Sequence, residues 1–178
     1  MNPEQLKHAI RAACDVSNDD ELYVFGSQAI LGQFPDADSR LRRSVEVDVC
    51  PKNKPDQADR IDGALGELSL FHQTHGFYVH GVSIESAILP DGWKNRTITV
   101  HDYMDKTKKG YSIEAHDLAA SKLMAFRPKD TEFVRILLLE KLIEPDVLLQ
   151  RLNNTKTERA LLERAYFWVR KTSDELRL

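Results

Sequence analysis

At 178 residues, 42% hydrophobic and 30% charged, the chain has ordinary globular composition and the length of one domain or two small lobes. A formal net charge of -3 gives no overall signature of a nucleic-acid binder, so any such contact has to come from a local basic cluster. Cys14 and Cys50 are isolated and lack metal or redox spacing, which argues against a disulfide framework and for a reducing compartment.

In chain order, Leu6, Ile10 and Ala13 recur at helical spacing and predict a short amphipathic helix. Lys7 and Arg11 interrupt its apolar positions, so it lacks a signal-peptide core. No later run is long enough to span a bilayer, and the expected setting is the cytoplasm, with no membrane partner. ELYVF (Glu21–Phe25) reads as a strand stopped by Gly26. Ser27 is placed as a helix N-cap, with SQAILGQF continuing as a short helix until Pro35. The polar connection PDADSRLRRS leads to a strand over Val45–Val49, and a loop from Pro51 leads to a helix over Ala58–Leu70 with Ile61, Leu65 and Leu68 on its apolar face. GFYVHGVSI and RTITVHDY then read as β segments separated by the turn residues of LPDGWKN.

From Glu114 the pattern changes. HDLAASKLMAF, PKDTEFVRILLLEKLI, PDVLLQRLN and TERALLERAYFWVRKTSDEL all read as helices, with Pro128 and Pro145 where helices begin. The expected fold class is therefore α+β: a mixed β-sheet with flanking helices over residues 1–113, followed by a helical C-terminal lobe over 114–178.

The chemistry lies first in SVEVDV. Residues two apart on a strand share a face and stand about 7 Å apart along it. Val45, Val47 and Val49 thus face one side, and Glu46 and Asp48 the other. Carboxylates held this way raise each other's pKa unless a cation sits between them. Hard divalent cations take such oxygen ligands and keep water or substrate phosphate in their shell. Upstream, Gly26 lets backbone approach a ligand closely, and Ser27 offers a hydroxyl beside a helix N-terminus suited to phosphate. Taken alone, the acids suit a solvated strand face and the Gly-Ser pair a plain helix cap. Together they are more specific.

Strand, Gly-Ser, short helix, then a strand with two spaced acids resembles the nucleotidyltransferase superfamily of DNA polymerase β. Gly26 and Ser27 match its Gly-Ser outright, and Glu46-Val47-Asp48 matches its acid pair with Glu in the first position. The chain is more closely similar to small bacterial nucleotidyltransferase-like proteins related to AbiEii-type toxins, in which a later helical segment carries a Lys and then an Arg/Lys-Asp stretch. HDLAASKLMAFRPKDTEFVRILL looks similar, with Lys122, Arg127, Lys129 and Asp130, and the resemblance covers about Leu22–Leu139. It implies a nucleotidyltransferase-like fold and transfer of a nucleoside monophosphate from a nucleoside triphosphate to an RNA (tRNA) end or a protein hydroxyl. It further implies Mg²⁺ or Mn²⁺ held by Glu46 and Asp48, phosphates gripped by Gly26 and Ser27, and Lys122 supporting the triphosphate. A toxin-like role with a cognate antitoxin follows from the same resemblance. The segment between Ser27 and Glu46 is longer than the family's usual one. By position Glu85 is the best candidate for the third carboxylate and third metal ligand.

Arg40, Arg42 and Arg43 form a tight basic cluster, read equally as a phosphate grip by Arg43 or a solvated run offset by Asp36 and Asp38. Arg127 is a further candidate for the nucleotide, whereas Asp130 suits a helix first turn. Two other functions are carried. The first is a catalytically degenerate binding or interaction protein, motivated by the unplaced third acid. The second is a metal phosphohydrolase built on His101-Asp102 and His116-Asp117 with His72, His75 and His80. Trp93 and Tyr166–Trp168 read as core, as a helix-packing face or as a partner patch.

Overall fold

The computed structural model describes residues 1–101 and 105–178. The end of RTITVHDY, with Asp102 of the His101-Asp102 pair, lies outside the described residues. The fold is mixed α+β, and the described residues separate into two compact units, 1–86 with 97–113 and 87–96 with 114–178.

In the first unit the opening helix, α1 (Pro3–Ser17), begins as its sequence directs. Asn2 accepts from the Gln5 amide, the Gln5 side chain answers the Asn2 N–H, and Pro3 takes a first-turn position. Its apolar stripe, Leu6, Ala9, Ile10 and Ala13, is fully buried. Among the described residues five strands follow: β1 (Glu21–Phe25), β2 (Glu46–Pro51), β3 (Tyr78–Gly81), β4 (Ile98–His101) and β5 (Lys109–Ser112). They form one sheet in the order β3-β2-β1-β5-β4. β1 runs antiparallel to β2 and parallel to β5; β2 and β3 are parallel, β4 and β5 antiparallel. Leu22 to Phe25 are all buried, as a central strand covered on both faces requires.

β5 carries no strand signal in KGYS, because glycine and polar residues interrupt any apolar alternation. Its neighbours specify it. A Cβ on Gly110 would meet Ile10 of α1 at 2.5 Å, so glycine lets the helix close onto the sheet. The Tyr111 hydroxyl donates to Glu21 at 2.6 Å across the β1–β5 pair, and Lys52 donates to the same carboxylate at 2.9 Å.

The described residues of this unit also form the short α-helices α2 (Ile30–Gln33), α3 (Ala58–Leu65) and α4 (Leu70–His75). The helix expected over Ala58–Leu70 is two helices. The Gly66 N–H closes α3 on the Asp62 carbonyl at 2.9 Å, Leu68 takes a left-handed φ of 65°, and Ser69 caps α4 by accepting from His72 N–H at 3.1 Å. Leu68 is consequently exposed and lies off the apolar face.

The second unit holds α5 (Ala115–Ala125), α6 (Pro128–Leu139), α7 (Pro145–Asn153) and α8 (Arg159–Leu176), with Pro128 and Pro145 opening α6 and α7 as expected. Among its buried leucines lies Asp117, fully inaccessible. Arg96 grips it with two hydrogen bonds of 2.8 and 3.0 Å, and Arg151 lies 3.1 Å away as an ion pair without hydrogen-bond alignment. The pair ties the turn Trp93–Arg96 to α5. No described helix is long and apolar enough to cross a membrane.

The hydrogen bonds from Tyr111 and then Lys52 hold the Glu21 carboxyl at about 2, against an ordinary 4.5. Because the folded value is depressed, this stabilisation is complete above 4.5 and is lost as pH falls toward 2. In acid titrations followed by circular dichroism, Glu21→Gln should lose less stability than the wild type across that window. Asp117→Ala leaves two guanidinium groups without their carboxylate and should cost about 3 kcal/mol, the low end for breaking a buried pair because both arginines keep some water contact. A urea midpoint unchanged from the wild type would contradict it.

Candidate metal centre

The alternation in β2 is as its sequence suggests: Val47 and Val49 are fully buried while Glu46 and Asp48 are half-buried on the opposite face. Val45 precedes the strand and is exposed, so the buried row begins at Val47. Antiparallel pairing sets Asp48 opposite Phe25, the last residue of β1, and this brings its carboxylate to Gly26. A Cβ on Gly26 would lie 1.9 Å from Asp48 Oδ2. Its backbone, φ 64° and ψ -169°, also occupies a region that essentially only glycine adopts. Two motifs far apart in the chain therefore meet, and glycine is required twice over.

Gly26, not Ser27, takes the cap position. Ser27 begins a 3₁₀ turn, Ser27–Ala29, and the helix α2 behind it is a single turn. The helix dipole expected there is correspondingly small, and what the turn presents next to Asp48 is glycine backbone and the Ser27 residue.

Parallel pairing sets Tyr78 opposite Glu46 and His80 opposite Asp48, so these side chains share the acidic face. His80 Nδ1 lies 3.2 Å from Asp48 Oδ1 and 3.3 Å from Glu46 Oε1. One ligand atom from each of Glu46, Asp48 and His80 lies within 4.8 Å of the others, the one such metal-type grouping among the described residues. His80 Nε2 faces Asp62 Oδ1 of α3 at 3.9 Å. That approach depends on Gly81, where a Cβ would stand 2.0 Å from the Ala58 carbonyl oxygen; without a side chain there, α3 sits directly against β3. The Tyr78 hydroxyl is pushed up by burial and then by Glu46, Glu67, Asp48 and Asp62, so it registers a surrounding negative field. Two carboxylates and an imidazole, solvent-accessible and close together, are a donor set that fits a divalent cation while leaving room for water or substrate oxygens.

The other expected residues are not among these three grouped ligands. Glu85 lies in the turn Ile84–Ser86, where its carboxylate accepts from the Ser83 hydroxyl; it is not one of the grouped ligands. Arg43 follows the turn Ser39–Arg42 and is exposed, while Arg40 pairs with Asp38 at 2.8 Å. Lys122 and Arg127 belong to the second unit. There Lys122 is buried, 3.4 Å from Asp130 and 4.5 Å above the Phe133 ring, and Arg127 donates to Asp130 at 2.6 Å. Burial alone would raise the Asp130 carboxyl; the Arg127 hydrogen bond and the Lys122 charge overcome it and hold the group below its ordinary value. His116 bridges the Glu114 carboxylate and the Glu144 N–H, beside Asp117 in its arginine grip. His72 and His75 pack on Tyr78 and Phe71 rings.

In the sequence His80 groups with His72 and His75, whereas the structure sets it beside the acids. The available signal was the alternation of YVHG, in which buried Val79 sends Tyr78 and His80 to the same side. Which strand they would face was not written in that alternation.

No curated protein and no solved structure matches the chain significantly. A family model described as nucleotidyltransferase of unknown function (DUF6036) matches residues 4–171. With nearly the whole chain covered, the centre at Glu46 and Asp48 included, the protein is a member of that nucleotidyltransferase family.

Proposed function

We propose that the protein is a metal-dependent nucleotidyltransferase in which a hydroxyl of RNA, with a tRNA end foremost, or of a protein attacks the α-phosphorus of a nucleoside triphosphate, taking the nucleoside monophosphate and releasing pyrophosphate as the α–β bond breaks. The observation that carries this is the close approach of Gly26 to the Asp48 carboxylate, which sets the Gly-Ser backbone beside two metal-type ligands. Glu46 and Asp48 hold the cation, Mg²⁺ or Mn²⁺, and Gly26 and Ser27 receive the phosphates. A divalent ion bound there supplies charge stabilisation for the attacking and leaving oxygens of phosphoryl transfer. Arg43, exposed and close in sequence to Glu46, adds positive charge for the triphosphate or the acceptor strand. Lys122 and Arg127 are committed to Asp130, and no step is assigned to them. A toxin-like role held in check by an antitoxin agrees with an activity directed at tRNA or protein.

A second function, nucleotide binding without turnover, is favoured by one observation: the third group beside the acids is an imidazole, and Glu85 is engaged with Ser83. Calorimetry with nucleotide and metal, set against label transfer over a panel of acceptors, separates the two.

With α-labelled triphosphates, Mg²⁺ or Mn²⁺ and a mixture of tRNA and protein acceptors, label should pass to an acceptor, and Asp48→Asn should abolish the transfer. Equal labelling by wild type and variant removes the assignment of this centre. Gly26→Ala forces a methyl group into the Asp48 carboxylate on a backbone that resists it. It should cost on the order of 1–3 kcal/mol of stability and displace Asp48, with transfer falling at least as far as the thermal midpoint predicts.

A further inference from the structure

The third donor of the centre is a nitrogen, and that changes which cation it favours. Donor atoms on neighbouring positions of an octahedral ion with bonds of about 2.1 Å stand about 3 Å apart. The separations from His80 Nδ1 to Asp48 Oδ1 and Glu46 Oε1, 3.2 and 3.3 Å, match that edge closely. The arrangement is fixed from the backbone outward. Parallel pairing puts His80 level with Asp48, and Gly81 seats α3 against β3 so that Asp62 reaches the far side of the imidazole. A ligating Nδ1 must offer its lone pair, which leaves the ring proton on Nε2, the atom that faces Asp62 Oδ1 at 3.9 Å. Asp62 is more than half exposed, so the packing around it leaves its side chain room to turn toward the imidazole. Carboxylate, histidine and metal in line is the usual way a ligating imidazole is oriented and made more basic. Mg²⁺ prefers an all-oxygen shell, whereas later divalent ions accept imidazole readily.

We propose that His80 is a direct metal ligand through Nδ1, that Asp62 is its positioning residue at Nε2, and that the nitrogen donor makes the centre select Mn²⁺ over Mg²⁺. This rests on Glu46 and Asp48 forming a divalent-cation site. Glu85 is not needed to complete it.

The test uses the full chain stripped with chelator and loaded with Mn²⁺ alone, read by pulsed electron paramagnetic resonance for modulation from a coordinated imidazole nitrogen. The wild type should show the nitrogen coupling and a lower Kd for Mn²⁺ than for Mg²⁺. His80→Asn, at a side chain nearly half exposed and so tolerated by the fold, should still bind Mn²⁺ more weakly and without the coupling. His80→Asp should narrow the preference for Mn²⁺ over Mg²⁺. Asp62→Asn should keep the coupling and weaken Mn²⁺ binding roughly tenfold, with Asp62→Glu restoring it. Mn²⁺ binding that is lost in Asp48→Asn but shows no nitrogen coupling in the wild type overturns the role of His80 and leaves the acid-pair centre standing. Absence of Mn²⁺ binding, or binding indifferent to Asp48→Asn, overturns the ligand and the centre together.

Discussion

The first unit is organised around one close approach, the backbone of Gly26 against the carboxylate of Asp48. The separation leaves no space for a side chain, and the glycine torsions would exclude one in any case. The approach exists because β1 ends opposite Asp48 in the antiparallel pair, so the chain must turn away at the level of the acid. The Gly-Ser turn and the acid pair are thus one structural unit assembled by strand register. A one-residue slip of β2 would turn both carboxylates into the core and both valines into water.

Register in turn depends on what surrounds β1. It is buried on both faces and hydrogen-bonded on both edges, and its partner β5 is a strand with almost no apolar content. Glu21 holds that arrangement at one end: a single carboxylate takes hydrogen bonds from Tyr111 of β5 and from Lys52, the residue that follows β2. The charged end of an apolar strand thereby joins its two neighbours. At the other end Ile113 N–H continues to the Val24 carbonyl at 3.1 Å, extending the pairing past the last residue of β5.

Much of this was legible in the sequence where one local rule sufficed. Valines alternating with acids gave the face of β2, and prolines at first-turn positions marked α6 and α7. What was hidden depended on a partner. KGYS is a strand because α1, β1 and β4 accept it, and His80 joins the acids because β3 pairs with β2 in parallel register. Ala58–Leu70 reads as one periodic helix, yet Gly66 and a left-handed Leu68 divide it, since periodicity does not register a capping bond to the Asp62 carbonyl. Ser27 failed as a cap for a related reason: the backbone angle demanded at the cap beside Asp48 belongs to glycine.

The two units also treat their acids differently, and the difference bears on function. Asp117 and Asp130 are fully buried and are held by arginine, with a lysine added at Asp130. A guanidinium keeps its proton and has no lone pair to give, so acids held this way are committed to structure. Glu46 and Asp48 face solvent and meet an imidazole instead. Unlike a guanidinium, an imidazole has a ring-nitrogen lone pair that it can give to a cation. Burial and then the carboxylates of Glu46, Glu67, Asp48 and Asp62 raise the Tyr78 hydroxyl, so this face gathers negative charge. A divalent cation is the kind of ligand that such charge suits, and one bound there would keep coordination positions open to a phosphate.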